Sequence, residues 1–152
     1  MHEKKWADQA LKSFDDVVGA IPGFRNREGQ RKMAAQIAQT FSQAQLGKID
    51  EGAPEPTRSI AVVQAGTGVG KSLAYSIPAI SMALARGTRV LISTATVALQ
   101  EQLVNKDLPA LAQQLEQPFK FALAKGRGRF VCKLKLERLA STGEAQDLSL
   151  IH

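Results

Sequence analysis

The sequence has one cysteine, two histidines and few aromatic side chains, and it lacks any long apolar run. The lone Cys132 cannot form an intrachain disulfide, which excludes a disulfide scaffold and fits a reducing compartment. The longest apolar stretch, residues 73–85, is interrupted by polar residues and is shorter than the roughly 20 residues of a membrane span. The N-terminus is charged and has no apolar run of the signal-peptide type. We therefore expect a cytoplasmic protein without membrane contact.

Positive charge is concentrated in residues 120–138, here called the basic stretch. The 152 residues are 44% apolar and 22% charged, as in one globular domain, and their net charge is +6. Seven basic side chains and one acidic side chain in the basic stretch also sum to +6. With Phe130 among them, they favour a single-stranded nucleic acid as partner, and a solvated helix face is the alternative. The basic residues are Lys120, Lys125, Arg127, Arg129, Lys133, Lys135 and Arg138.

Hydrophobic periodicity predicts helices that alternate with short apolar strands. An alternating order of this kind implies parallel strand pairing and an α/β layer fold. Pro78 should bend the helix that contains it, because it has no N–H to donate. The predicted helices are residues 6–18, 28–45, 71–86, a segment around 97–103, and 131–139; the predicted strands are residues 60–63, 90–92 and 119–124, and residues 46–58 are a predicted loop.

The strongest motif is AGTGVGKS, residues 65–72, which has the Walker A form with Ala65 at the leading glycine position. Glycines let the backbone turn tightly and bring its N–H groups against phosphate oxygens, and the following helix directs its N-terminal amides at the same anion. Lys71 would hold the β and γ phosphates, and the Ser72 hydroxyl would bind Mg²⁺. A plain glycine turn with an exposed lysine is the alternative. The residues of this P-loop are Ala65, Gly66, Thr67, Gly68, Val69, Gly70, Lys71 and Ser72.

Two flanking segments carry polar groups suited to a nucleotide and a nucleic acid. The Gln30 amide can pair with adenine N6 and N7, although a solvated basic helix start explains the same segment. Thr94 and Thr96 follow the second predicted strand, at the edge where open parallel sheets bind ligands. Thr96 is equally suited to cap the following helix, and one residue can do both.

Four segments in this order resemble the DinG-type DNA helicases, which are similar to XPD within helicase superfamily 2. FRNREGQRKM resembles their Q motif, QAGTGVGKS their motif I, and LISTATVALQEQL their motif Ia. KGRGRFVC resembles the segment with the first of four cysteine ligands to an iron–sulfur cluster. The resemblance covers roughly residues 20–140. It implies a RecA-like P-loop NTPase domain, with a parallel sheet and flanking helices, that follows a helical N-terminal segment over residues 1–19.

The resemblance also implies roles for single residues. Gln30 and Arg27 would lie at the adenine, Lys71 and Ser72 would serve catalysis and Mg²⁺, and Cys132 would bind a [4Fe–4S] cluster in the complete protein. The iron–sulfur insertion would begin near residues 125–140, followed by a tail over 141–152. The implied activity is ATP-driven 5′ to 3′ unwinding of single-stranded or forked DNA, in DNA repair, by a monomer. Its implied DNA contacts are Thr94, Thr96, Lys125, Arg127 and Arg129.

Several departures from the family pattern indicate an N-terminal part of a longer helicase that is inactive alone. Gln64 stands where the family pattern has an acidic residue, and no Walker B strand follows the P-loop. Asp15 and Asp16 lie upstream and cannot supply that carboxylate pair. The other three cluster cysteines are also absent. A small-substrate kinase-like P-loop enzyme and a non-enzymatic nucleic-acid-binding module remain as alternative functions.

Overall fold

The computed structural model describes residues 2–21, 23, 27–45, 56–66 and 68–142. The chain divides into two units, Met1–Phe121 and Ala122–His152. The first unit contains α1 (His2–Ala20), α2 (Glu28–Gln43), α3 (Lys71–Arg86), α4 (Val97–Gln102), a π-helical turn (Leu103–Asp107) and α5 (Leu108–Gln114). The second contains a 3₁₀ turn (Arg127–Arg129) and α6 (Lys133–Thr142).

The core of the first unit lies between α1, α2 and α3, each of which packs against the other two. Apolar side chains of all three helices are buried in one cluster, among them Phe14 of α1, Ile37 of α2 and Ile77 of α3. Leu111 of α5 closes the cluster. Fully burying a side chain of this size contributes about 1.5–3 kcal/mol, so helix packing holds α3 in place.

Glycines set both ends of α3, which spans the predicted residues 71–86. Gly70 precedes the helix with φ +85° and Gly87 follows it with φ +61°, in the left-handed region that favours glycine. The Thr88 N–H donates to the Ala83 carbonyl (2.9 Å) and the Gly87 N–H to the Leu84 carbonyl (3.3 Å), a Schellman ending. The helix continues through the buried Pro78.

The three predicted strands do not form strands in the part of the chain that the structure describes, and the parallel sheet stays a prediction. Residues 60–63, 90–92 and 119–124 form no strand, and an isolated antiparallel bridge joins Gln45 to Thr57. An extended segment becomes a strand only when a neighbour pairs with its backbone groups, and these segments do not pair with one another. Several of their apolar side chains are exposed: Ile60 by 83%, Val62 by 95% and Leu91 by 88%.

The remaining helices follow the predictions with shifted boundaries. The helix predicted around 97–103 extends to Gln114 through the π-helical turn, which precedes Pro109 in the first turn of α5. Proline has no N–H to donate to an α-helical carbonyl, so a register shift there is physically reasonable. The helix predicted at 131–139 is α6, and most of the predicted loop and of the tail lies outside the described residues. No helix among those described is long and apolar enough to cross a bilayer.

Candidate nucleotide-binding site

The P-loop lies directly before α3, and two of its glycines adopt backbone angles that other residues rarely take. Gly68 has φ +78° and Gly70 has φ +85°, whereas Gly66 does not have a positive φ. The left-handed conformation costs an L-residue roughly 1–2 kcal/mol, so positions 68 and 70 require glycine. Thr67 lies outside the described residues. The loop therefore reaches the N-terminus of a 16-residue helix, where backbone N–H groups favour an anion.

The Lys71 ammonium lies across the P-loop. It donates to the Ala65 carbonyl at 3.0 Å and to the Gly66 carbonyl at 2.8 Å, and the side chain is half-buried. These two bonds place the positive charge at the loop rather than in solvent. Ser72 follows in the first turn of α3, and Val69 is half-buried within the loop. The predicted phosphate-binding residues that are described here thus lie together.

Gln30 is fully buried, at 0% exposure, against the same loop. Its Nε2 donates to the Gly70 carbonyl at 2.8 Å, while its Oε1 is buried and accepts no hydrogen bond within the described structure. A buried acceptor without a partner is costly and marks a place where a ligand can supply a donor. The adenine 6-amino group is such a donor, so the residues fit an adenine nucleotide.

Arg27 lies immediately before α2, and its guanidinium Nη1 donates to the Gly68 carbonyl. The structure shows this contact with the P-loop backbone, and the position of Arg27 at the adenine, which the resemblance implies, stays a prediction. It is exposed. The start of α2 thus contributes two side chains that contact the loop.

The two threonines after residues 90–92 are engaged with the start of α4. The Thr96 hydroxyl accepts from the Leu99 N–H at 3.3 Å, as an N-cap does. The Thr94 hydroxyl donates to the Thr96 carbonyl at 3.2 Å. The capping alternative is therefore confirmed for Thr96, and its exposed position leaves the predicted DNA contact as a prediction.

The residues predicted to bind DNA and the cluster in the second unit are at its surface. Lys125, Arg129 and the thiol of Cys132 are exposed, and Phe130 is 62% exposed. Arg127 belongs to the 3₁₀ turn. No group of three or more His, Cys, Asp or Glu side chains that could hold a metal occurs among the described residues.

Arg86, which sequence reasoning missed, joins three helices. Its Nη1 donates to the Ala44 carbonyl at 2.7 Å and its Nη2 to the Ser42 carbonyl at 2.9 Å. The guanidinium carbon lies 4.4 Å from the centroid of the Trp6 ring, a cation–π distance. The sequence shows a basic residue in the last turn of a helix, which favours bonds to nearby carbonyls but does not identify which groups Arg86 contacts. Arg86 thereby fixes the end of α3 opposite the P-loop.

The upstream acidic pair, Asp15 and Asp16, forms ion pairs on the surface of the helices. The two Asp15 carboxylate oxygens accept from Nε and Nη2 of Arg31, both at 2.9 Å. These hydrogen bonds and the carboxylate charge raise the pKa of Arg31 above its usual value. Asp16 accepts from Lys12 at 2.8 Å, one helical turn earlier. Both pairs are exposed, so each contributes little to stability.

Comparison with known proteins identifies the family of the chain. Residues 30–125, more than half of the chain, match the DEAD/DEAH box helicase family. The chain is 40% identical over 137 residues to the ATP-dependent DNA helicase DinG of Photobacterium profundum, covering 90% of this chain and 18% of that protein. It is 42% identical over 135 residues to the ATP-dependent helicase DinG of Mycobacterium tuberculosis, covering 86% and 18%.

A third relative, the ATP-dependent DNA helicase DinG of Escherichia coli, is 43% identical over 126 residues, covering 83% of this chain and 16% of that protein. The chain thus spans less than a fifth of the length of these relatives. The matched family has a RecA-like fold, and the P-loop and Gln30 both lie in the matched residues. The chain therefore belongs to the DEAD/DEAH box helicase family.

Proposed function

We propose that this chain holds ATP for a DinG-type DNA helicase that unwinds DNA from 5′ to 3′. The observation that carries the proposal is the fully buried Gln30 against the P-loop, with its free Oε1 acceptor. A P-loop alone would fit any nucleotide enzyme, whereas the buried Oε1 of Gln30 beside it favours a base that can donate a hydrogen bond. Adenine can donate from its 6-amino group.

In the proposed complex the residues of this chain bind and orient the triphosphate. The Lys71 ammonium leaves the Ala65 and Gly66 carbonyls, 3.0 and 2.8 Å away, and donates instead to the β and γ phosphates. The N-terminal amides of α3 contribute further donors. Ser72 is the residue that would hold Mg²⁺, which neutralises phosphate charge when bound. Without a Walker B carboxylate, this chain has no group to position the attacking water, so we propose that it does not hydrolyse ATP alone.

The DNA side of the proposal depends on the threonines before α4 and on the basic stretch. Thr94, Thr96, Lys125, Arg127 and Arg129 would contact the backbone of single-stranded or forked DNA. Hydroxyls and cations suit phosphate oxygens, and the exposed Phe130 offers a ring on which a base can stack. We further propose that the complete protein acts as a monomer in the cytoplasm.

The proposed cluster ligand is Cys132. Its thiol is exposed, and a thiolate is the ligand that iron–sulfur clusters take. The sequence has one cysteine, so this chain would supply one of the four ligands of a [4Fe–4S] cluster. When bound, such a cluster links the segments that ligate it.

The test is calorimetric titration of the full-length protein with Mg²⁺ and ATP. We expect binding in the unaltered protein and a loss of about tenfold or more for Lys71→Ala, because the charge-assisted bonds to phosphate disappear. Arg89→Ala, which removes an exposed cation beyond the other end of α3, is the matched control and should bind normally. Equal affinity in the Lys71 variant would contradict the proposal. Rapid ATP hydrolysis by the 152-residue chain alone would contradict its proposed inactivity.

A further inference from the structure

Two side chains at the start of α2 hold two carbonyls of the P-loop, across about forty positions of sequence. Arg27 donates to the carbonyl of Gly68, and Gln30 donates to the carbonyl of Gly70 at 2.8 Å. The donors are three residues apart, almost one helical turn, and the acceptors are two residues apart. Both acceptors belong to the glycines with positive φ. The start of α2 therefore contacts the P-loop at the two residues whose backbone has a positive φ.

Peptide geometry links these contacts to the orientation of backbone N–H groups in the P-loop. In a trans peptide, the carbonyl of one residue and the N–H of the next point in opposite directions. With the Gly68 carbonyl turned toward Arg27, the N–H of Val69 points to the other side of the peptide. The Gly70 carbonyl accepts from both the Gln30 Nε2 and the Ala74 N–H, and these bonds together orient the N–H of Lys71 in the same way. Each contact orients a donor without touching the ligand.

We propose that Arg27 is a positioning residue for the triphosphate: it holds the Gly68 carbonyl and thereby presents the Val69 amide to phosphate. The inference rests on the proposed function, since it assumes that the P-loop binds ATP. It differs from the role implied by the family resemblance, in which Arg27 lies at the adenine. The difference is measurable, because a positioning role requires no base in the ligand.

The experiment uses inorganic tripolyphosphate with Mg²⁺ as a ligand without a base, and ATP with Mg²⁺ beside it. In the full-length protein we expect Arg27→Ala to weaken both ligands by the same factor, about tenfold, through loss of one charge-assisted bond. Arg27→Lys retains a donor and should recover part of the affinity for both. Arg89→Ala removes an exposed cation elsewhere and should change neither. Arg27 is exposed, so these variants should fold, and circular dichroism can check this.

The salt dependence of the affinity loss distinguishes a positioning role of Arg27 from a direct contact with phosphate. Repeating the titrations at about 0.15 M and about 0.5 M salt should leave most of the loss for Arg27→Ala in place, because its acceptor is a neutral carbonyl and salt screens only the longer-range attraction of the cation for phosphate. A loss that disappears at high salt would overturn the proposal in favour of an ion pair with phosphate. A loss confined to ATP would overturn it in favour of a base contact. If the unaltered protein binds neither ligand, the proposed function itself is wrong.

Discussion

Replacing Gly70 by alanine tests the contact between α2 and the P-loop. A φ of +85° costs an L-residue roughly 1–2 kcal/mol. An added Cβ would also lie too close to the Gln30 Nε2, so the buried amide must move. Moving it breaks the bond to the Gly70 carbonyl, and a buried polar group left without a partner costs about 1–3 kcal/mol. We therefore expect Gly70→Ala to lower the free energy of unfolding by about 2–5 kcal/mol.

Alanine substitutions at three other glycines distinguish the backbone cost of a positive φ from the cost of displacing Gln30. Gly68→Ala and Gly87→Ala meet positive φ but no atom within 4 Å, so each should cost only the backbone part, roughly 1–2 kcal/mol. Gly66→Ala meets neither obstacle and should be neutral or stabilising, by up to about 1 kcal/mol. Urea unfolding followed by far-ultraviolet circular dichroism gives all four values on one scale.

A second substitution tests whether Gln30 causes the additional loss of stability in Gly70→Ala. In a Gln30→Ala background the added Cβ at position 70 no longer meets the amide, so Gly70→Ala should cost about as much as Gly87→Ala. The reasoning is refuted if Gly70→Ala and Gly87→Ala are equally destabilising in the unaltered background. It is also refuted if the Gln30 change leaves the cost at position 70 unaltered.

Three further predictions concern other parts of the chain. Arg86→Met should lower thermal stability by about 2–4 kcal/mol, because it leaves the Ser42 and Ala44 carbonyls unpaired and removes the cation–π contact; an unchanged melting temperature would contradict this. Thr96→Val should cost about 1 kcal/mol in urea unfolding through loss of the cap, whereas Thr96→Ser should not. Cys132→Ser should lower the iron content of the full-length protein, and equal iron in both proteins would show that the thiol is not a ligand.

Local patterns account for what the sequence predicted well. The bounds of α3 follow from glycines at both ends, and the apolar faces of α1 and α2 follow from three-to-four spacing that places Phe14 and Ile37 in one core. The P-loop was predictable because its backbone shape requires glycine and its charge requires lysine at a fixed offset. These features depend on neighbours within one or two helical turns.

Contacts between distant segments could not be predicted in this way. Whether residues 60–63 form a strand depends on a partner for their backbone, which their own sequence does not specify. The composition of the α2 start showed that Gln30 and Arg27 can donate hydrogen bonds, but their acceptors are fixed by packing of α2 on α3. Arg86 is a similar case, since Trp6 and Ala44 come beside it only after folding.

The stacking of Arg86 on Trp6 would make the first helix an optical reporter of the proposed nucleotide site. Trp6 is the single tryptophan of the sequence, and it touches the far end of the helix that begins with Lys71. Indole emission is sensitive to a cation at its face, so a shift or rotation of α3 when the loop fills would change the fluorescence of an unlabelled chain. Trp6 is thus a native fluorescent probe at one end of α3, a 16-residue helix whose other end begins with Lys71 of the P-loop.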